Sequence, residues 1–123
     1  MNLVDSSGWL EYFADDKNSG FFAPAIEDTE RLIVSTINIY EVFKKILQQR
    51  NENDAIQAVS VMQQAQIVDV TSSLSLFAAR ISYENKLPMA DSLILATAKS
   101  KNAILWTQDS HFKGIPDVKY IRK

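Results

Sequence analysis

The chain has 123 residues, 46% hydrophobic and 23% charged, the balance of a soluble globular protein folding as a single domain over residues 1–123. A net charge of −2 excludes a generic polyanion binder, and zero cysteines exclude thiol catalysis, disulfides and cysteine-bound zinc while suiting a reducing cytoplasm. No run approaches the roughly 20 apolar residues of a membrane span, and Met1-Asn2-Leu3-Val4-Asp5 lacks the basic and apolar regions of a signal peptide, so a cytoplasmic location is expected.

Residues 2–5 read as a first strand, and Ser6 or Ser7 as the cap of a helix Gly8–Ala14 with Trp9, Leu10 and Phe13 turned to the core. Asp15–Gly20 reads as a loop. Phe21–Glu27 follows as a helix in which Pro24 either limits the length or sits in the first turn. Arg31–Val34 is a second strand, and Ser35 or Thr36 caps a long helix through Gln49. A helix over Asn51–Ala65 presents Ile56, Val59, Val61 and Met62 at helical spacing. Gln66–Val70 is a third strand. Thr71-Ser72-Ser73 opens a helix with Leu74, Phe77, Ala78 and Ile81 on one face. Leu87-Pro88 breaks the chain before an apolar helix, Ala90–Lys99. Ala103–Trp106 is a fourth strand and Val118–Ile121 a short fifth at an edge. The alternation predicts an α/β fold with a mainly parallel sheet of about five strands.

Charge is uneven along the chain. Residues 1–30 hold seven acids and one base; residues 99–123 hold six bases against Asp109 and Asp117. Any nucleic-acid contact must therefore come from local basic patches or through a metal ion.

Four acids fall where a parallel sheet places its ligands, outside the carboxyl ends of the strands. Asp5 ends the first strand and Asp109 lies just past the fourth. Glu41 lies in the second turn of the helix after the second strand, and Asp91 in the first turn of the helix after Pro88. Right-handed crossovers would bring all four to one edge. Each also has a local explanation: Asp5 as a helix cap, Glu41 paired with Lys45, Asp91 on a helix dipole, and Asp109 capping Ser110–Lys113. Asp91 is the hardest to explain locally, because a carboxylate in so apolar a helix needs a partner or a metal. Four clustered carboxylates repel one another, and hard divalent cations such as magnesium or manganese relieve that repulsion. Such an ion can activate a water and stabilise charge growing on a phosphodiester. The one histidine, His111, cannot supply a histidine acid–base pair.

These segments resemble a known family. Leu3-Val4-Asp5-Ser6-Ser7, Ser35-Thr36-Ile37-Asn38-Ile39-Tyr40-Glu41-Val42, Leu87-Pro88-Met89-Ala90-Asp91-Ser92-Leu93-Ile94-Leu95-Ala96-Thr97-Ala98 and Leu105-Trp106-Thr107-Gln108-Asp109-Ser110-His111-Phe112 are similar to the successive motifs of PIN domains. At this length the chain looks like the VapC-type toxins. The resemblance implies a three-layer α/β/α fold and a magnesium- or manganese-dependent endoribonuclease. Asp5, Glu41, Asp91 and Asp109 match the family's acidic, metal-binding positions, and Ser6 and Thr107 match supporting polar positions. It further implies an RNA substrate, an inhibiting antitoxin partner and a homodimer. Gln108 stands where a basic or other polar residue is often found. Lys44, Lys45 and Arg50 are candidate RNA contacts, or else a solvated helix face. Asp69, inside the third strand, is expected to point to solvent. A receiver-like phosphoacceptor module and a PIN-like nuclease acting on DNA are the alternatives. The first would want an acidic pair after the first strand, where Ser6-Ser7 follow Asp5 instead.

Overall fold

A computed structural model describes residues 1–123. Its elements are β1 (Asn2–Val4), α1 (Ser6–Phe13), α2 (Ser19–Glu27), β2 (Leu32–Ser35), α3 (Thr36–Gln49), α4 (Glu52–Met62), β3 (Gln66–Val68), α5 (Ser72–Asn85), α6 (Met89–Ser100), β4 (Ile104–Thr107) and β5 (Val118–Tyr120), with 3₁₀ turns at Thr29–Arg31 and Ser110–Phe112. Every strand pair is parallel, in the order β3-β2-β1-β4-β5. This is the expected three-layer α/β/α arrangement, with β5 at an edge as anticipated.

The strands are short; central β1 and β2 are buried on both faces and read as hydrophobic runs, while edge strands β3 and β5 are only partly buried. Neighbouring residues alternate between two cores. Leu3, Ile33 and Leu105 join α5 and α6 in one, while Val4, Leu32 and Val34 join α1 to α4 in the other. α6 is mostly apolar and is buried all round from Ser92 through Ala98.

Local chemistry sets the turns that matter for the site. Asp5 keeps an extended backbone and caps α1, its side chain accepting from the Ser6 N–H; neither Ser6 nor Ser7 is the cap. Ser35 caps α3 in a reciprocal box with Asn38. α5 stops at Lys86 in the left-handed region, and Pro88 then precedes α6. Pro24 sits inside α2, which begins earlier than expected, at Ser19. The carbonyl four residues back belongs to exposed Gly20, where water can replace the missing partner.

Two helix faces differ from expectation. α4 turns Ala55, Ala58 and Met62 inward and leaves Ile56 and Val61 exposed. In α5, Phe77 is 39% exposed while Leu74, Ala78 and Ile81 pack inward. α1 crosses so close to α2 that a Cβ on Gly8 would lie 2.6 Å from the Phe22 ring and 2.7 Å from Val4 Cγ1. Both neighbours are fully buried. Gly8→Ala is therefore expected to lower stability by about 1–3 kcal/mol through overpacking, despite alanine's better helix propensity. An unchanged or raised denaturant midpoint would contradict this.

Candidate metal centre

β1 and β4 pair in parallel, with Val4 beside Trp106, so the residues that follow them leave the sheet together. The Asp5 N–H donates to the Trp106 carbonyl at 2.9 Å. Asp5 is only 4% exposed. Its Oδ1 accepts from the Ser6 N–H at 2.7 Å, and its Oδ2 accepts from Thr107 Oγ1 at 2.9 Å and Ser7 Oγ at 3.2 Å. Fully buried Thr107 also accepts the Asp109 N–H at 2.9 Å through the same hydroxyl oxygen, which links the first and last acids. Burial pushes the Asp5 carboxyl up to about 6. Hydrogen bonds from Thr107 and Ser6 oppose the shift, while the charges of Asp91 and Asp109 add to it.

Glu41 is half-buried on α3. The Ser6 hydroxyl donates to its Oε1 at 2.7 Å and accepts from Asn38 Nδ2 at 3.0 Å, while Asn38 Oδ1 accepts the Ser35 N–H at 3.1 Å. The helix cap therefore also orients a site carboxylate. The anticipated Glu41–Lys45 pair does not form: the ion pairs are Asp28–Arg31, Arg50–Asp54 and those of His111. Burial raises the Glu41 pKa, against the Ser6 hydrogen bond, and Asp91 and Asp109 raise it further.

Asp91 is half-buried in the first turn of α6, and burial likewise raises its pKa. Its Oδ2 lies 2.8 Å from His111 Nδ1. Asp109 caps the Ser110–Phe112 turn, accepting the His111 N–H at 2.9 Å. Ligand-type atoms of Asp91, Asp109 and His111 all lie within 4.8 Å of one another. The His111 pKa is raised, first by its bond to Asp91 and then by the Asp109 charge.

Asp5, Glu41, Asp91 and Asp109 all line one open cleft of about 400 Å³, together with Ser6. Arg50 is elsewhere, held by Asp54 in a separate groove. Asp69 lies exposed past the end of β3, outside the cleft. The donor set fits a hard divalent cation: carboxylate oxygens converge, and the most buried of them bears a charge that desolvation opposes.

Three further residues support the site without a clear mark in the sequence. Asn38 carried only a weak signal, the serine–asparagine capping spacing. Gln108 is buried, donating to Glu11 Oε1 at 3.2 Å and accepting from Asn18 Nδ2 at 2.9 Å; this anchors the backbone between Thr107 and Asp109. His111 has no second histidine to pair with, yet its spacing from Asp109 places it at the site.

The PIN domain family model matches residues 3–118, and the chain belongs to that family. Among solved structures it is similar in fold to a chain of a toxin–antitoxin complex from Klebsiella pneumoniae, with 23% identity, 97% of this chain and 96% of that one covered, and a TM-score of 0.79. VapC20 from Mycobacterium tuberculosis, described as a sarcin–ricin loop cleaving toxin, matches at 16% identity, 94% and 95% coverage and a TM-score of 0.78. FitAcB from Neisseria gonorrhoeae matches at 18% identity, 99% and 97% coverage and a TM-score of 0.74. No curated protein sequence matches the chain. Membership of the PIN family replaces the receiver-like reading. No helix is long and apolar enough to cross a membrane.

Proposed function

We propose that the chain is a divalent-metal-dependent endoribonuclease, working as a single PIN domain and as the toxin of a toxin–antitoxin pair. The observation that carries this is the convergence of Asp5, Glu41, Asp91 and Asp109, from four separate elements, on one cleft. Asp5, Asp91 and Asp109 would hold magnesium or manganese, with Glu41 completing the set. Such an ion supplies Lewis-acid stabilisation of phosphodiester charge and lowers the pKa of a water.

The chain's own residues do the rest. Thr107 and the Ser6 N–H fix Asp5, and the Ser6 hydroxyl fixes Glu41, so the acids are held before substrate arrives. RNA as substrate is supported by family membership and by the ribonucleolytic description of VapC20, a similar fold. A cytoplasmic location, a homodimer and an antitoxin partner belong to the same reading. An apolar groove of Leu10, Phe13, Ile46, Ala58 and Val61 between α1, α3 and α4 offers a surface that an apolar antitoxin segment could cover.

Purified protein should cut RNA with magnesium or manganese and stop on addition of EDTA. Cleavage that survives EDTA, or cleavage of single-stranded DNA but not RNA, would overturn this reading.

A further inference from the structure

α3 turns Val42 and Ile46 into the core, so Tyr40 and Lys44, two residues before and after Val42, face the opposite way. Tyr40 is 62% exposed, as Tyr83 is at 88% on α5. Yet it is not on a remote surface: Tyr40, Lys44 and Lys45 line the cleft that holds the four carboxylates. The Lys44 ammonium lies 5.8 Å from the Tyr40 ring centroid. Neither lysine is ion-paired. The carboxylate best placed to neutralise Lys45 is Glu41, which is engaged by Ser6. An acidic cleft in a chain of net charge −2 thus carries two uncommitted cations and an open aromatic ring along one wall.

We propose that this wall is a nucleotide platform: an unpaired RNA base beside the scissile phosphate stacks on Tyr40, while Lys44 and Lys45 hold the neighbouring phosphates. The proposal rests on the ribonuclease reading and adds to it the residues that would position the RNA: Tyr40 for a base, Lys44 and Lys45 for phosphates. A polyanion approaching four carboxylates needs local positive charge, which the two lysines supply. Any base offers a ring face to an exposed aromatic, but only if it is outside a duplex. Lys44, held over the ring, can add a cation contribution to the same surface.

The test uses the full chain carrying Asp91→Asn, to suppress cleavage, and a short oligoribonucleotide containing 2-aminopurine, whose fluorescence falls on stacking. The parent should bind and quench the probe. Adding Tyr40→Ala should weaken binding about tenfold or more and remove the quench, while Tyr40→Phe should keep both. The same sequence as a duplex should bind weakly and be indifferent to Tyr40→Ala. Tyr40 is exposed and alanine favours helix, so the variant should fold; circular dichroism and the phenylalanine rescue check this.

Unchanged binding and quench in Tyr40→Ala would overturn the platform. If wild type also cleaves RNA with a divalent cation, the ribonuclease reading stands without it. If wild type neither binds nor cleaves RNA, both fall. Loss of a co-purifying protein partner in Tyr40→Ala, with RNA binding unchanged, would assign the wall to that partner and likewise overturn the proposal.

Discussion

Asp5→Asn is expected to abolish cleavage, by roughly 10³-fold, and yet to raise the melting temperature of the ion-free protein at pH 8. The first effect follows from losing the most buried carboxylate of the centre. The second follows from the direction of its pKa. The carboxyl moves from its ordinary 3.8 to about 6 in the fold, so the fold favours the protonated form. Its contribution to stability is complete at acid pH, declines as pH rises from about 4 to 6, and stays lost above that. At about 1.4 kcal/mol per pK unit, the carboxylate costs the ion-free fold about 3 kcal/mol at pH 8. Asparagine removes the charge and remains an equally good helix cap. Its amide can donate to Thr107 or Ser7, whose hydroxyls can turn to accept. A variant that melts below wild type at pH 8 without divalent cations would show that the carboxylate is a structural cap.

Divalent cations should stabilise the wild-type fold, and the gain should shrink as pH falls through 6. Saturating magnesium or manganese at pH 7.5 is expected to raise the melting temperature by about 5 °C or more. Asp5, Glu41 and Asp91 all have raised pKa values, so protons compete with the cation at the same oxygens. His111 acts in the same direction, since its imidazolium pairs with Asp91 in acid. The shift should also vanish in Asp5→Asn. Thermal melts across pH check this, and a shift that persists unchanged at pH 5 or in Asp5→Asn would contradict it.

The fold was largely legible because its signals are local. α6 announces itself through a largely apolar stretch, and Asp91 stands out within it because a carboxylate there needs a reason. Strand ends place Asp5 and Asp109, and the Ser35 cap sets the register that puts Glu41 in the second turn. What could not be read depends on distant partners. The Glu41–Lys45 spacing suggests a pair, but the Ser6 hydroxyl, 35 residues away, takes the carboxylate. Asn18 and Gln108 meet across 90 residues, and no periodicity marks either. In α4 Ile56 and Val61 pointed to the wrong face, because close packing there favours Ala55 and Ala58 beside Met62 and turns Val61 toward the grooves. Size alone does not say which face of a helix meets the core.

The most direct test of a metal-dependent ribonuclease at these four carboxylates is RNA-end mapping in cells expressing wild type or Asp91→Asn at equal levels. Asp91 reaches the cleft from an otherwise apolar helix, so its substitution removes the centre's chemistry while leaving the fold in place. Discrete new RNA ends in wild type, absent from the variant, are the predicted result. Identical ends in both, with the variant folded, would contradict the assignment.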